Sequence, residues 1–187
     1  NYNSKRLSEK AAQSLIFYSR QTAANVDFTV DSMKHVTDYI LSEQDMLNAM
    51  KTLPKYYEKG NYGFGKTIKH NDLLDTLNIG LAMYYIDSNF YRVIIFNEFG
   101  DVASSTNTGS KLTNKARNTS DIKWLNSAAR MHGKPILIAP HMDGWGIRES
   151  EEVFSLARKV QGGDFGYIEV QYATDELKDI FEIPDSD

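Results

Sequence analysis

Apolar or small residues recur along the first quarter of the chain at Leu7, Ala11, Leu15, Tyr18, Thr22, Val26, Thr29, Met33, Val36 and Ile40, in steps of three and four. That spacing keeps them on one helical face and predicts a single helix of about ten turns. Globular helices usually run about 8 to 20 residues, so a helix this long must do more than cover a sheet. Ser42-Glu43-Gln44-Asp45 has the pattern of a capping box and marks a joint. Beyond it Met46, Leu47, Met50 and Leu53 continue a shorter helix that Pro54 helps to end.

Glycine content makes residues 60–67 a loop, after which Asn71 or Asp72 caps an apolar helix running from Leu73 to Tyr85. Two strands follow, at 91–96 and 102–106, around the turn Asn97 to Asp101. The polar stretch 107–120 reads as an exposed loop before a helix from Asp121 to about Met131. Strands at 135–140, 151–160 and 165–172 come next, separated by glycine-bearing turns at 144–146 and 162–163, and a short helix from Asp175 to Phe181 closes the chain. Strands joined by short turns pair antiparallel, because parallel neighbours would need crossover helices. The expectation is an α+β fold, a long N-terminal helix on an antiparallel sheet of about five strands. Residues 1–58 carry the long helix and the short one, 59–187 form the sheet module, and the two make one structural domain.

Composition narrows the functional classes. The 187 residues are 41% hydrophobic and 25% charged, with a net charge of −4, so there is no basic field for nucleic acid. Cysteine is absent, which removes disulfides, thiolate metal sites and cysteine nucleophiles. His35, His70, His132 and His141 show no metal-ligand spacing, and no Gly-x-Ser-x-Gly elbow occurs. Neither a cofactor nor a metal is expected. No apolar run is long enough for a membrane helix, and the start lacks a signal-peptide core, so the chain reads as a domain excised from a longer protein.

Gly60 to Thr67 matches the phosphate-binding pattern Gly-x4-Gly-Lys-Thr. That chemistry needs a buried strand feeding the loop and a helix starting at its lysine. Upstream, Thr52 to Lys59 is too polar for a central strand. Downstream, capping signals at Asn71 and Asp72 delay the helix, and the position for a magnesium carboxylate is Asn97. The bland reading, a glycine-rich connector, is preferred. Asn118-Thr119-Ser120 is a glycosylation sequon treated as exposed loop.

The richest cluster is Pro140-His141-Met142-Asp143-Gly144-Trp145, which places a histidine, a carboxylate and a large aromatic at the end of a strand. Such a set suits a polar small-molecule pocket, although Asp143-Gly144 also reads as plain turn chemistry and Trp145 as a core lid. Trp124, on the preceding helix, is either a pocket wall or core. Arg158 lies by alternation on the face of Phe154 and Leu156 and needs a carboxylate from the protein or from a ligand. Ser155 of the same strand joins Trp124, His141, Asp143, Trp145 and Arg158 as a ligand-binding candidate.

The ordered pattern of Ile94-Ile95-Phe96-Asn97-Glu98-Phe99-Gly100-Asp101, the helix from Trp124 to Pro135, the Pro140-His141-Met142-Asp143 turn, the strand Val153 to Val160, and Phe165 to Val170 followed by Asp175 to Phe181 resembles Cache sensor domains of bacterial receptors. It is most similar to those of sensor histidine kinases in Gram-positive bacteria. The resemblance covers nearly the whole chain and implies a PAS-like sheet in an extracytoplasmic, non-enzymatic domain of a membrane-anchored receptor, with a ligand pocket over the sheet; signalling through the long helix suggests a receptor homodimer. In double-Cache members the long helix spans two PAS-like modules, and this chain has sequence for one. The amino-acid-binding subgroup carries Arg-x-Trp-Tyr on the helix, Pro-Tyr-x-Asp at the turn and Asp in the last strand. Here those positions read Ile122, Trp124 and Leu125, then Pro140, His141 and Asp143, then Gln171. The resemblance therefore does not carry amino-acid recognition to this chain. The expected ligand is a small extracellular solute such as a sugar or a carboxylate. Two alternatives stay open: an interaction module without a small ligand, and a nucleotide-binding protein.

Overall fold

A computed structural model describes residues 2–58, 64–86, 89–105, 121–146 and 151–181. Helix α1 spans Tyr2–Ser42, 41 residues, and at 1.5 Å per residue is about 60 Å long. Its second half is what the domain uses: Thr29, Met33, Val36, Thr37 and Ile40 are buried against the sheet. In the first half Leu15, Ile16 and Phe17 are more than half exposed, and further along, on the side away from the sheet, Phe28 is 74% exposed. Half of the predicted stripe thus has no core beneath it among the described residues.

The joint falls at Glu43, whose extended backbone (φ −73°, ψ 112°) separates α1 from α2, Gln44–Thr52. The capping box is not used. Glu43 makes no side-chain cap bond, and the Ser42 hydroxyl turns back to the Tyr39 carbonyl. A 3-10 turn, Leu53–Tyr57, follows with Pro54 in its first positions, where a missing N–H costs nothing.

Helix α3 runs Phe64–Ile86 and so begins before the residues read as its cap. Asn71 and Asp72 are solvent-facing residues inside the helix, where a short polar side chain is tolerated because water satisfies it. Gly60 to Gly63 lie outside the described residues. Even so, the segment feeding them is helix and 3-10 turn, not the strand a phosphate loop requires. The Asn97 side chain is committed to Asp101 and to the backbone of Phe99 and Asp101.

Strands β1 (Arg92–Phe96), β2 (Val102–Ser104), β3 (Ile136–Met142), β4 (Glu152–Lys159) and β5 (Tyr167–Ala173) form one sheet in the order β2-β1-β5-β4-β3, with every pairing antiparallel. The last strand in sequence thus lies at the centre. Helix α4 is confined to Leu125–Arg130, shorter than expected, because residues 121–124 form a turn leading into it. Helix α5 is Thr174–Phe181. The expected loop 107–120, with its sequon, lies outside the described residues.

Alternation gives the sheet two unlike faces. Val93, Ile95, Leu156, Ile168 and Val170 join Met33, Ile40, Met50, Leu77 and Leu81 in one core beneath α1, α2 and α3. Each such aliphatic side chain contributes about 1.5 to 3 kcal/mol by leaving water. On the other face a smaller cluster gathers Ile94, Phe96, Leu125, Ala128, Trp145 and Tyr167. The β4–β5 hairpin depends on Gly166, at φ +103°, where a Cβ would sit 2.2 Å from the Phe96 carbonyl oxygen.

Arg158 lies on the helix-covered face with Phe154 and Leu156, as alternation predicts. The protein supplies its carboxylate: the guanidinium pairs with Asp38 of α1, reaches the Thr37 hydroxyl and donates to the Gly133 carbonyl. Arg158 therefore joins α1 to the turn that ends α4 and is not among the groups of the opposite face. Arg158→Ala should lower stability by about 1–2 kcal/mol, the range for hydrogen bonds to a partly exposed charge. Urea unfolding of the single variants and of the double variant with Asp38→Asn checks this; strictly additive losses would refute the pairing.

Candidate functional site

The second face of the sheet is polar where β5 crosses it. Tyr167, Glu169, Gln171 and Ala173 of β5 share that face with Arg92, Ile94 and Phe96 of β1 and with Val153, Ser155 and Ala157 of β4. Every residue of β5 is buried, so its polar side chains must be satisfied from within.

Asp143 anchors the arrangement. It is fully buried, and its Oδ2 accepts Arg92 Nη2 at 3.0 Å and the Gly146 N–H at 3.1 Å. Its Oδ1 accepts the Trp145 N–H at 3.0 Å and Gln171 Nε2 at 3.2 Å. The carboxylate thus closes the turn after β3, neutralises Arg92 and positions Gln171.

Glu169 sits one step along β5. Its Oε2 accepts Trp145 Nε1 at 2.7 Å, and its Oε1 accepts the Ser155 hydroxyl at 2.8 Å and Gln171 Nε2 at 3.3 Å. Burial raises its pKa above the ordinary carboxylate value, against the opposing pull of those donors and of nearby His141. The Gln171 side-chain oxygen is buried and has no hydrogen-bond partner among the described residues.

His141 is aimed by a bulge. The β3–β4 register shifts between Ile138 and His141, a stretch that includes Pro140, which has no N–H to offer a ladder. The Ala139 carbonyl lies 2.8 Å from His141 Nδ1, so that nitrogen carries a proton. Nε2 then faces Ser155 Oγ at 3.4 Å and Glu169 Oε1 at 3.9 Å.

Over this floor lies a cavity of about 300 Å³ between the 121–124 turn, β3 and β5. Trp124 and Trp145 form its aromatic wall; Glu169 and Gln171 lie at its base beside His141. Trp124 meets Phe96 and Tyr167 edge-on, at 5.9 and 6.1 Å, and Trp145 packs on Phe96 at 4.9 Å. Both indoles are therefore held by the small core. Asp121, Ile122 and Lys123 complete the turn side.

Of the six residues predicted from sequence, Trp124, His141 and Trp145 line this cavity. Asp143 and Ser155 stand behind the lining, both fully buried and committed to protein partners. Arg158 is on the other face. Glu169 and Gln171 were not among the predicted site residues. Strict alternation along Tyr167 to Ala173 carries the missing signal, since it puts both on the face opposite Ile168 and Val170, where an acid and an amide must meet partners or a ligand.

The fold is that of a Cache-type sensor domain. Among solved structures the chain is similar to the sensor domain of the Vibrio cholerae histidine kinase DctB, at TM-score 0.64 and 13% identity over 97% of this chain and 62% of that one. It thus spans less than two thirds of that domain. It is similar also to a domain of a sensory box/GGDEF family protein from Vibrio parahaemolyticus (TM-score 0.64, 11% identity, 94% of this chain and 65% of that one). A third neighbour is the ligand-binding domain of the Pseudomonas aeruginosa amino-acid chemoreceptor PctC in complex with GABA (TM-score 0.60, 13% identity, 91% and 67%). Each of these neighbours is a sensor or ligand-binding domain. No protein-family model matches the chain, and no curated protein matches it in sequence. Among the described residues no helix is long and apolar enough to cross a membrane, and no cluster of His, Asp or Glu could hold a metal ion.

Asp143→Ala should destabilise the domain by about 3–5 kcal/mol, because it strands the Arg92 charge in a buried setting. Guanidinium unfolding measures the loss; a change under about 1 kcal/mol would mean that Asp143 is not the anchor. Glu169 supplies a pH signature. Its folded pKa is raised, so its contribution to stability is fully present below the unfolded carboxylate value and is lost as pH rises through the raised folded one. Relative to Glu169→Gln, the wild-type melting temperature should therefore climb as pH is lowered from neutral towards the ordinary glutamate range. A constant offset between the two proteins across that range would contradict the assignment.

Proposed function

We propose that this chain is the extracytoplasmic ligand-sensing domain of a bacterial transmembrane receptor of the histidine-kinase kind, which binds a small solute in the cavity over the sheet. The observation that carries this reading is the cavity itself. It combines a tryptophan wall with a small set of convergent polar groups, the make-up of a specific small-molecule site. An interaction module holding no ligand would be better served by an apolar face, and the buried Glu169 and Gln171 argue against it.

Helix α1 supplies a route for the signal. A solute that binds two arrangements of the domain with different affinity shifts their populations, and α1 packs directly on β4 and β5 while running far beyond the sheet. The turn at Gly133, tied through Arg158 to Asp38, gives the pocket side a second connection to that helix. Exposed Phe17 and Phe28, on one face of α1, offer a surface for the partner helix of a membrane-anchored receptor homodimer.

A thermal-shift screen of small metabolites tests the site. A ligand at about a hundred times its Kd should stabilise the domain by roughly 2.7 kcal/mol. Trp124→Ala and His141→Ala should reduce that shift without unfolding the apo protein. A hit whose shift is unchanged in both variants would place binding elsewhere.

A further inference from the structure

At the end of the sheet lies a second cleft that shares no residue with the cavity. Because Phe96 pairs with Tyr167, the β1–β2 and β4–β5 turns fall at the same end, where they meet the last turn of α2 and the 3-10 turn around about 230 Å³ of open space. We propose that this cleft is a separate binding site for a small aromatic carboxylate, which lays its ring against Phe99 and Phe165 and its carboxylate between Lys51 and Lys55. The volume falls below the roughly 300–1,000 Å³ of most ligand pockets, which suits one ring with a short acidic arm.

The walls are aromatic and fixed from behind. Tyr57 stacks on Phe99 at 5.1 Å, with 15° between the rings. The Tyr57 hydroxyl donates to Asp101 Oδ1 at 2.7 Å, and the same buried carboxylate accepts Asn97 Nδ2 at 2.8 Å and lies 2.8 Å from His70 Nε2. Tyr57 therefore offers the cleft its ring and holds Phe99 in place, while Phe99 remains 41% exposed. From the β4–β5 turn, Phe165 packs against the larger core, and Gly163 leaves room for its ring, since a Cβ there would stand 2.9 Å from it. Rings held in this way lose little freedom when a ligand ring packs on them.

The charge pattern sets the sign of the ligand. Lys51 and Lys55 stand four residues apart on one continuous helical segment, and both line the cleft. Two like charges so placed repel until an anion lies between them. Lys51 is half-buried, where a charge gains more from a counterion than it does in open water. The two acids of the rim, Glu58 and Asp164, are exposed and come from different segments. The Asp164 charge also acts on Tyr167, whose pKa is pushed up to about 12 by burial, Glu98 and Asp164. None of the four charged groups is in an ion pair among the described residues.

NMR titration of the full chain locates and measures binding at once: the amides of Phe99, Gly100 and Gly163 report the cleft, and the Trp124 and Trp145 indoles report the cavity. 3-Phenylpropionate should move the turn amides with millimolar affinity. It should bind at least about fivefold more tightly than 2-phenylethylamine, 3-phenylpropanol or propionate, the gain of two partly exposed ion pairs together with a packed ring. Lys51→Gln with Lys55→Gln should bring it down to the level of the alcohol, and Phe99→Ala to that of propionate. All three side chains reach solvent, and unchanged melting curves show that the variants fold. Added salt should weaken phenylpropionate and leave the alcohol alone.

Equal binding of the amine or the alcohol overturns the inference, as does full phenylpropionate affinity in the double lysine variant. So does the absence of turn-amide shifts at tens of millimolar acid. Shifts confined to the indoles and abolished by Trp124→Ala would put the acid in the cavity and remove the second site.

Discussion

The molecule is organised by the burial of β5 on both faces. A central strand with neighbours on each side and cover above and below has no water to offer its side chains, so each must be apolar or find a partner inside. Ile168, Val170 and Tyr172 meet the first condition under the helices. Glu169 and Gln171 meet the second, and the network around them follows: Trp145 and Ser155 turn donors towards Glu169, and Asp143 receives Gln171 and Arg92 together. A buried pair such as Arg92–Asp143 contributes little net stability compared with a well-packed apolar replacement. Its effect is to hold one geometry. With Asp143 fixed, the turn through Gly146 is fixed, and so is the Trp145 indole that forms one wall of the cavity.

The same face explains why the cavity lies where it does. At the strand ends that carry Phe96, Tyr167 and Ile136 the sheet face is filled by those side chains and the underside of α4, a contact that closes over with aromatic packing. Further along the strands it cannot close in the same way, because the bulge before His141 bends β3 and the polar floor has no apolar counterpart to pack against. The space that remains is bounded by rigid groups. Trp124 and Trp145 are held by Phe96, and Glu169 and Gln171 belong to the central strand, so a ligand would meet a preformed surface and lose little affinity to ordering it.

Much of the fold was legible because its signals are periodic. The three-and-four spacing from Leu7 to Ile40 predicted one helix, and the short turns between apolar runs predicted an antiparallel sheet of five strands. Spacing alone could not say where along the stripe a core begins: Met33 and Ile40 are buried, whereas Leu15, with the same pattern around it, is open. Capping signals misled twice. Ser42 to Asp45 has the letters of a capping box and does not make its bonds, and Asn71-Asp72 lies inside α3, because a polar side chain that faces water does not interrupt a helix whose other side is packed. For the site, the turn motif drew attention to His141, Asp143 and Trp145; a cavity lies beside them, and their structural roles divide. Asp143 spends all of its capacity on the protein, which residue type alone cannot reveal. Arg158 was placed on the right face by alternation, and that face turned out to be the helix side, with Asp38 supplied from far along the chain.

The division of labour between the faces bears on how a small event at the cavity could reach α1. The helix side is densely packed and aliphatic, so displacement of β4 or β5 passes to Met33, Val36 and Ile40 without slack. The cavity side is tied by directional bonds to charged and amide groups, which change partners rather than deform. β5 belongs to both. An occupant that draws Glu169 or Gln171 towards itself acts on a strand whose alternate residues touch the core beneath α1, one position away along the same backbone. Arg158 adds a link of another kind, because it holds the Gly133 turn at the end of α4 to Asp38 independently of the strand. A change at the 121–124 turn and a change at the floor would therefore converge on the same stretch of α1, from Met33 to Ile40, which is what supports the proposed route through the long helix.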